Sequence, residues 1–169
     1  VTGVAQAGAQ TQLNALTGFT LPVVASSAPT GQTGLIWINT SSGNAVMAWN
    51  GTTFVAAGLP YLALLTADPT TNVTIAQLAE CTDSGYSRVQ VTFGSASAAY
   101  PSGASNTNLL TFGPFSVNMS LPCQWLALVT PASGTSGLLL NSWTISSPQQ
   151  VSATQTINVA AGALSITQS

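Results

Sequence analysis

Charge is nearly missing from this chain. Its 169 residues hold one basic side chain, Arg88, and three acidic ones, Asp68, Glu80 and Asp83, with no lysine and no histidine. Charged residues make up 2% of the sequence, against about a quarter in an ordinary soluble domain. Nucleic-acid binding needs lysines and arginines to displace counterions from phosphates, and one arginine cannot do this. Docking on an anionic membrane through a basic patch fails for the same reason. General acid–base catalysis usually recruits histidine or a tuned carboxylate or lysine, and almost none are present. The hydroxyl-rich stretches around Ser84, Ser87 and 133–136 have no histidine to complete a nucleophilic triad. The chain is therefore expected not to be an enzyme.

Metal ligands are equally scarce. Two cysteines without histidine are poor material for zinc, and the three carboxylates lack the tight spacing of a calcium loop. No metal and no cofactor is expected. Cys81 and Cys123 have no histidine or lysine close by in sequence to acidify them, and buried apolar thiols are a better reading than a disulfide. Long apolar runs are absent too: the longest, 59–67, is interrupted by Pro60 and falls short of the roughly 18–20 residues that span a bilayer. No basic segment precedes an apolar one, so no signal peptide is expected.

What is present is apolar and neutral-polar. Hydrophobic residues make up 46%, and the rest is dominated by Ser, Thr, Asn, Gln and Gly. Disorder goes with low hydrophobicity and high charge, the reverse of this composition. A surface of hydroxyls and amides offers little for salt to screen, and little in it titrates near neutrality. Apolar surface in excess of a monomer's needs is hidden most readily between subunits, because obligate interfaces resemble a domain core cut in half.

The pattern along the chain predicts an all-β protein in three parts. Residues 1–33 read as an extended arm whose apolar cluster is Leu13, Leu16, Phe19, Leu21, Val23 and Val24, with Pro22 and Pro29 forbidding a long regular element. Residues 34–58 read as a small β-hairpin module of three strands, closed at Asn50-Gly51, a strong hairpin signal. Trp37 and Trp49 are its apolar anchors. Residues 59–169 read as an antiparallel β-sandwich, jelly-roll-like, with strands at 61–66, 88–93, 109–112, 115–119, 125–130, 138–145 and 156–166. The last run loses phase at Ala160-Ala161-Gly162, which predicts a bulge or turn. One short helix is expected over 74–80, capped by Thr74. Asn39 and Asn50, although in glycosylation-type sequons, are best explained as turn residues. Trp125 and Trp143 lie inside strand runs and are expected in the core, leaving Tyr86 and Tyr100 freer to reach a surface.

Residues 34–55, GLIWINTSSGNAVMAWNGTTFV, resemble a short module common in bacteriophage fibre and virion-surface proteins. In it a Trp- and Asn-Thr-bearing strand, a Gly turn, a second strand and a Trp-Asn-Gly-Thr turn follow one another. The stretches YLALLTADPTT, GYSRVQVTFG, LLTFGPFSVNM and WLALVT are similar to the β-rich C-terminal part of phage fibre-like or capsid-decorating proteins. This resemblance implies a homotrimeric virion component, assembled in the host cytoplasm and displayed on the particle. The leading expectation is a capsid decoration or cement protein that contacts the major capsid protein and its own copies through Leu13, Leu16, Phe19, Leu21, Trp37 and Trp49. The alternative is a short fibre adhesin binding a host-surface glycan.

Overall fold

Short β-branched and aromatic runs alternate with Gly, Asn and Pro turns, so strands form but none can propagate far without folding back. The computed structural model describes residues 23–25, 27–30, 35–69, 74–95 and 102–168, and these form an all-β fold. Strands β1 (Val23–Ala25), β2 (Ile36–Asn39), β3 (Ala45–Trp49) and β4 (Phe54–Gly58) make one sheet in that order. The module expected to have three strands gains a fourth because Val23–Ala25, within the expected arm, pairs parallel to β2. Between β2 and β3 the Asn39 side chain accepts from Ser41 N, and Gly43 and Asn44 both take positive φ to reverse the chain. At the next turn Asn50 Oδ1 accepts from the N–H groups of Thr52 and Thr53.

The second sheet holds β5 (Tyr61–Leu65), β6 (Val89–Gln90), β9 (Cys123–Val129) and β10 (Leu139–Gln149), in the order β10-β9-β5-β6. Both faces of its central pair are buried, which explains the unbroken apolar runs of β5 and β9. Leu62, Leu64, Leu126 and Leu128 join the main core. Ala63, Leu65, Ala127 and Val129 face the other way, where Ile75 and Leu78 cover them. Two ribbons complete the fold: β8 (Leu110–Phe112) with β11 (Ile157–Val159), and β7 (Ser102–Ser105) with β12 (Ser165–Gln168). One core cluster draws on all of them, from Val24, Ile38 and Val46 to Phe112, Leu128, Ile157 and Ile166. A buried hydrogen bond crosses from the first sheet, with Phe93 N donating to Asn44 Oδ1 at 2.7 Å.

Several expected elements change. The helix over 74–80 shrinks to a 3₁₀ turn at Ile75–Gln77, because the residues after it pair with β5: Thr66 N donates to Ala79 O at 2.8 Å and Cys81 N to Leu64 O at 2.9 Å. The strand expected over 115–119 is irregular. Its alternation is real, with Phe115 and Met119 buried and Val117 exposed, but its amides donate to separate partners, Phe115 to Gln155 O, Ser116 to Ser84 O and Met119 to Val151 O. The run 156–166 splits into β11 and β12, and the predicted break is a turn in which Ala163 N donates to Ala160 O. The strand expected over 88–93 keeps only two residues as β6, with Phe93 bridging to Asn106.

Candidate functional site

A cleft lies beside β10. It has a volume of about 460 Å³ and runs between Trp143, Thr144, Ser146 and Gln149 on one wall and Asn158, Val159, Ala160 and Leu164 on the other. Trp143 is half-buried and packs against the main core, and its Nε1–H donates to the Ser165 carbonyl at 3.2 Å. The ring is therefore held in place while part of it lines the cleft. On the opposite wall Asn158 Oδ1 accepts from Thr111 Oγ1 at 2.8 Å, which fixes the amide. No charged side chain lines this cleft. The sequence placed Trp143 in the core and did not single out Gln149 or Asn158. The signal that could have found this wall was the phase break at 160–162, since a turn there exposes one side of β11.

The charged residues gather elsewhere. Arg88 Nε donates to Glu80 Oε1 at 2.8 Å, Nη2 to Glu80 Oε2 at 2.6 Å and to Gly134 O at 2.9 Å, and Nη1 to Pro131 O at 2.9 Å. Its side chain is 4% exposed. This is a bidentate fork that also ties down the loop after β9. Tyr86 adds a third member, donating to Glu80 Oε1 at 2.6 Å and accepting from Leu64 N at 3.1 Å, with its ring stacked on Phe112. Burial, reinforced by the Glu80 carboxylate, pushes the Tyr86 phenol far above the ordinary tyrosine range. The Glu80 hydrogen bond likewise raises Arg88, so the one cation of the chain is permanently charged and fully engaged. Tyr86 is thus a structural member of the ion-pair cluster and not a free aromatic platform. Tyr100 lies outside the described residues.

Cys81 and Cys123 are both free and buried. They lie together in the main core, where the Cys81 thiol donates to Asp83 Oδ2 at 3.5 Å; the interaction of the two thiols lowers Cys81 and, with burial, raises Cys123. Among the described residues no cluster of three metal-ligating side chains forms.

Of the six expected interface residues, Leu13, Leu16, Phe19 and Leu21 lie outside the described residues. Trp37 and Trp49 come together: Phe54 meets both edge-on, at 5.4 and 5.1 Å between ring centroids. Trp37 is 6% exposed with its Nε1–H donating to Ala25 O at 3.0 Å, so most of its surface is used within the chain, whereas Trp49 keeps more of its own.

Residues 38–167 match the family model described as podophage GP4 fiber I protein gp80. The chain belongs to this fibre family. The match runs from within β2 to within β12, so the family region contains the ion-pair cluster and the whole Trp143 cleft, while Val23–Ala25 and the residues before it lie outside the match. It makes the protein a bacteriophage structural protein associated with the virion. No curated protein and no solved structure matches the chain.

Proposed function

We propose that this chain is a non-enzymatic fibre adhesin, exposed on the virion surface as a homotrimer, that attaches the particle to a host-surface glycan. The observation that carries the reading is the fibre-family match over 38–167. Three features support it. The chain has no histidine or lysine and its single arginine is bound to Glu80, leaving little for catalysis. Its surface depends on hydroxyls and amides, whose contacts persist in variable salt. The uncharged edge strand β4, with Val55 42% exposed, favours association with further copies, since exposed edges without charge are ready templates for pairing.

A cement role on the capsid is the second reading, favoured by the apolar residues 13–21 of the sequence and by the half-buried Trp49 and Phe54, which would face the major capsid protein. Copy number per purified particle separates the two. A few to a few tens of copies, with purified chain competing against phage adsorption, supports the adhesin. Hundreds of copies in a fixed ratio to the shell protein, with no such competition, supports cement.

A further inference from the structure

We propose that the cleft between β10 and the β11–β12 turn is a saccharide site selective for uncharged sugars; this rests on the adhesin reading. The cleft offers what a sugar ring needs. Part of the Trp143 indole is available to stack on an apolar C–H face, and the rotation of that indole is fixed by its bond to Ser165 O. Around it stand hydrogen-bonding groups with capacity left over. Gln149 donates Nε2 to Ser147 O at 2.7 Å, which leaves its Oε1 as an acceptor. Asn158 uses Oδ1 on Thr111, while its Nδ2 makes only a long 3.4 Å contact with Thr156 Oγ1 and remains a donor. Ser146, exposed on the same strand, also lines the cleft, whereas Thr144 alternates to the face opposite Trp143. One oriented aromatic with a few convergent polar groups, in about 460 Å³, is the make-up of a small-molecule cleft, which spans about 300–1,000 Å³.

The charge inventory sets the ligand class. A sugar bearing a carboxylate, sulfate or phosphate must give up hydration on binding, and this is costly without a partner charge. No charged residue lines the cleft. The chain's one cation is 4% exposed and already donates four hydrogen bonds, so it cannot be recruited. Selection against acidic sugars follows from composition and from the Arg88 fork together.

The test uses the full chain on an immobilised panel of neutral oligosaccharides built from glucose, galactose, mannose, rhamnose and N-acetylglucosamine, beside sialylated, uronate-bearing and sulfated ones. Adsorption of the same chain to cells of the bacterium the phage infects is measured in parallel. The expected result is binding to neutral glycans alone, unchanged from low to high salt. Trp143→Ala and Ser146→Glu should each lower it by about tenfold or more, a loss of the size seen when a central contact is truncated. Ser146 is exposed, so Ser146→Glu carries the test if Trp143→Ala does not fold. Undiminished glycan binding by a folded variant, or equal binding of acidic glycans, overturns the site. Adsorption to cells without binding to any glycan overturns the saccharide and keeps the adhesin, pointing to a protein receptor. Failure to adsorb at all overturns the adhesin reading itself.

Discussion

Asn106 and Leu164 are joined twice. The Asn106 N–H donates to the Leu164 carbonyl at 3.1 Å, and the Leu164 N–H donates back to Asn106 Oδ1 at 2.9 Å. The remaining capacity of the same amide is also used, since Nδ2 donates to the carbonyls of Asn108 and Ala160, both at 2.9 Å. Asn106 is 2% exposed and fastens the turn that forms one wall of the Trp143 cleft.

Replacing Asn106 by Ala leaves the buried Leu164 N–H and the part-buried carbonyls of Asn108 and Ala160 without their partner. The stranded Leu164 N–H costs on the order of 1–3 kcal/mol, and the two carbonyls, which water can reach in part, add less, so a total loss of about 2–4 kcal/mol is expected in urea unfolding. The Leu164 amide should lose its hydrogen-exchange protection first. Unchanged exchange at Leu164 would refute the role assigned to Asn106.

Arg88→Ala should be among the most damaging single changes in the chain. It removes a bidentate fork that is buried on the arginine side, while Glu80 remains 20% exposed. Breaking a fully buried pair costs about 3–5 kcal/mol, and partial access of water to Glu80 brings the expected loss to about 2–4 kcal/mol. Arg88→Lys should recover little of it, because a single ammonium cannot serve Glu80, Pro131 and Gly134 together. Chemical denaturation of the three proteins decides the matter.

Alkali should destabilise the fold through Tyr86. Its folded pKa is raised above the unfolded value of about 10. The folded chain therefore keeps a proton that the unfolded chain gives up, so the contribution is complete below pH 10 and declines above it, by at most about 1.4 kcal/mol per pH unit. Cys123 acts in the same direction. The informative comparison is thus between the parent and Tyr86→Phe, which share both cysteines. Tyr86→Phe should be less stable at neutral pH but show a shallower decline in melting temperature above pH 10. Parallel profiles would contradict the assignment.

Asn44 serves two purposes that separate substitutions can resolve. Its φ of 65° favours Asn or Gly, and its Oδ1 accepts the buried Phe93 N–H. Asn44→Gly keeps the turn and loses the acceptor, with an expected cost of about 1–3 kcal/mol. Asn44→Ala loses both and should cost about 1 kcal/mol more. Equal thermal stability of the two variants would show that the backbone contributes nothing.

The sequence reveals those parts of this fold that local chemistry controls. Asn39, Gly43 and Asn50-Gly51 mark the turns of the first sheet by side-chain and backbone preference. Leu62 to Leu65 and Leu126 to Val129 identify the central strands by unbroken apolarity. Where long-range pairing decides, local pattern misleads. Phe115, Val117 and Met119 alternate as a strand would, yet the alternation reports only burial, because the amides of Phe115 and Met119 go to Gln155 and Val151 while that of Ser116 between them goes to Ser84. Strand β7, Ser102–Ser105, has no apolar alternation to announce it and exists because β12 pairs with it. The same holds for the candidate site: nothing near Trp143 in sequence indicates that Asn158 stands across from it, and Cys81 meets Cys123 only because residues 79–81 pair with β5.

The Arg88 fork has a further consequence, in terms of proteolysis. With no lysine and one arginine, trypsin-type proteases have a single peptide bond to cut in this sequence, between Arg88 and Val89. That bond enters strand β6, and the side chain such proteases must draw into their specificity pocket is held by four hydrogen bonds at 4% exposure. Cleavage requires the ion pair to open and the edge of the sheet to fray in the same event. Within this sequence such proteases thus meet one target, closed for as long as Glu80 holds it.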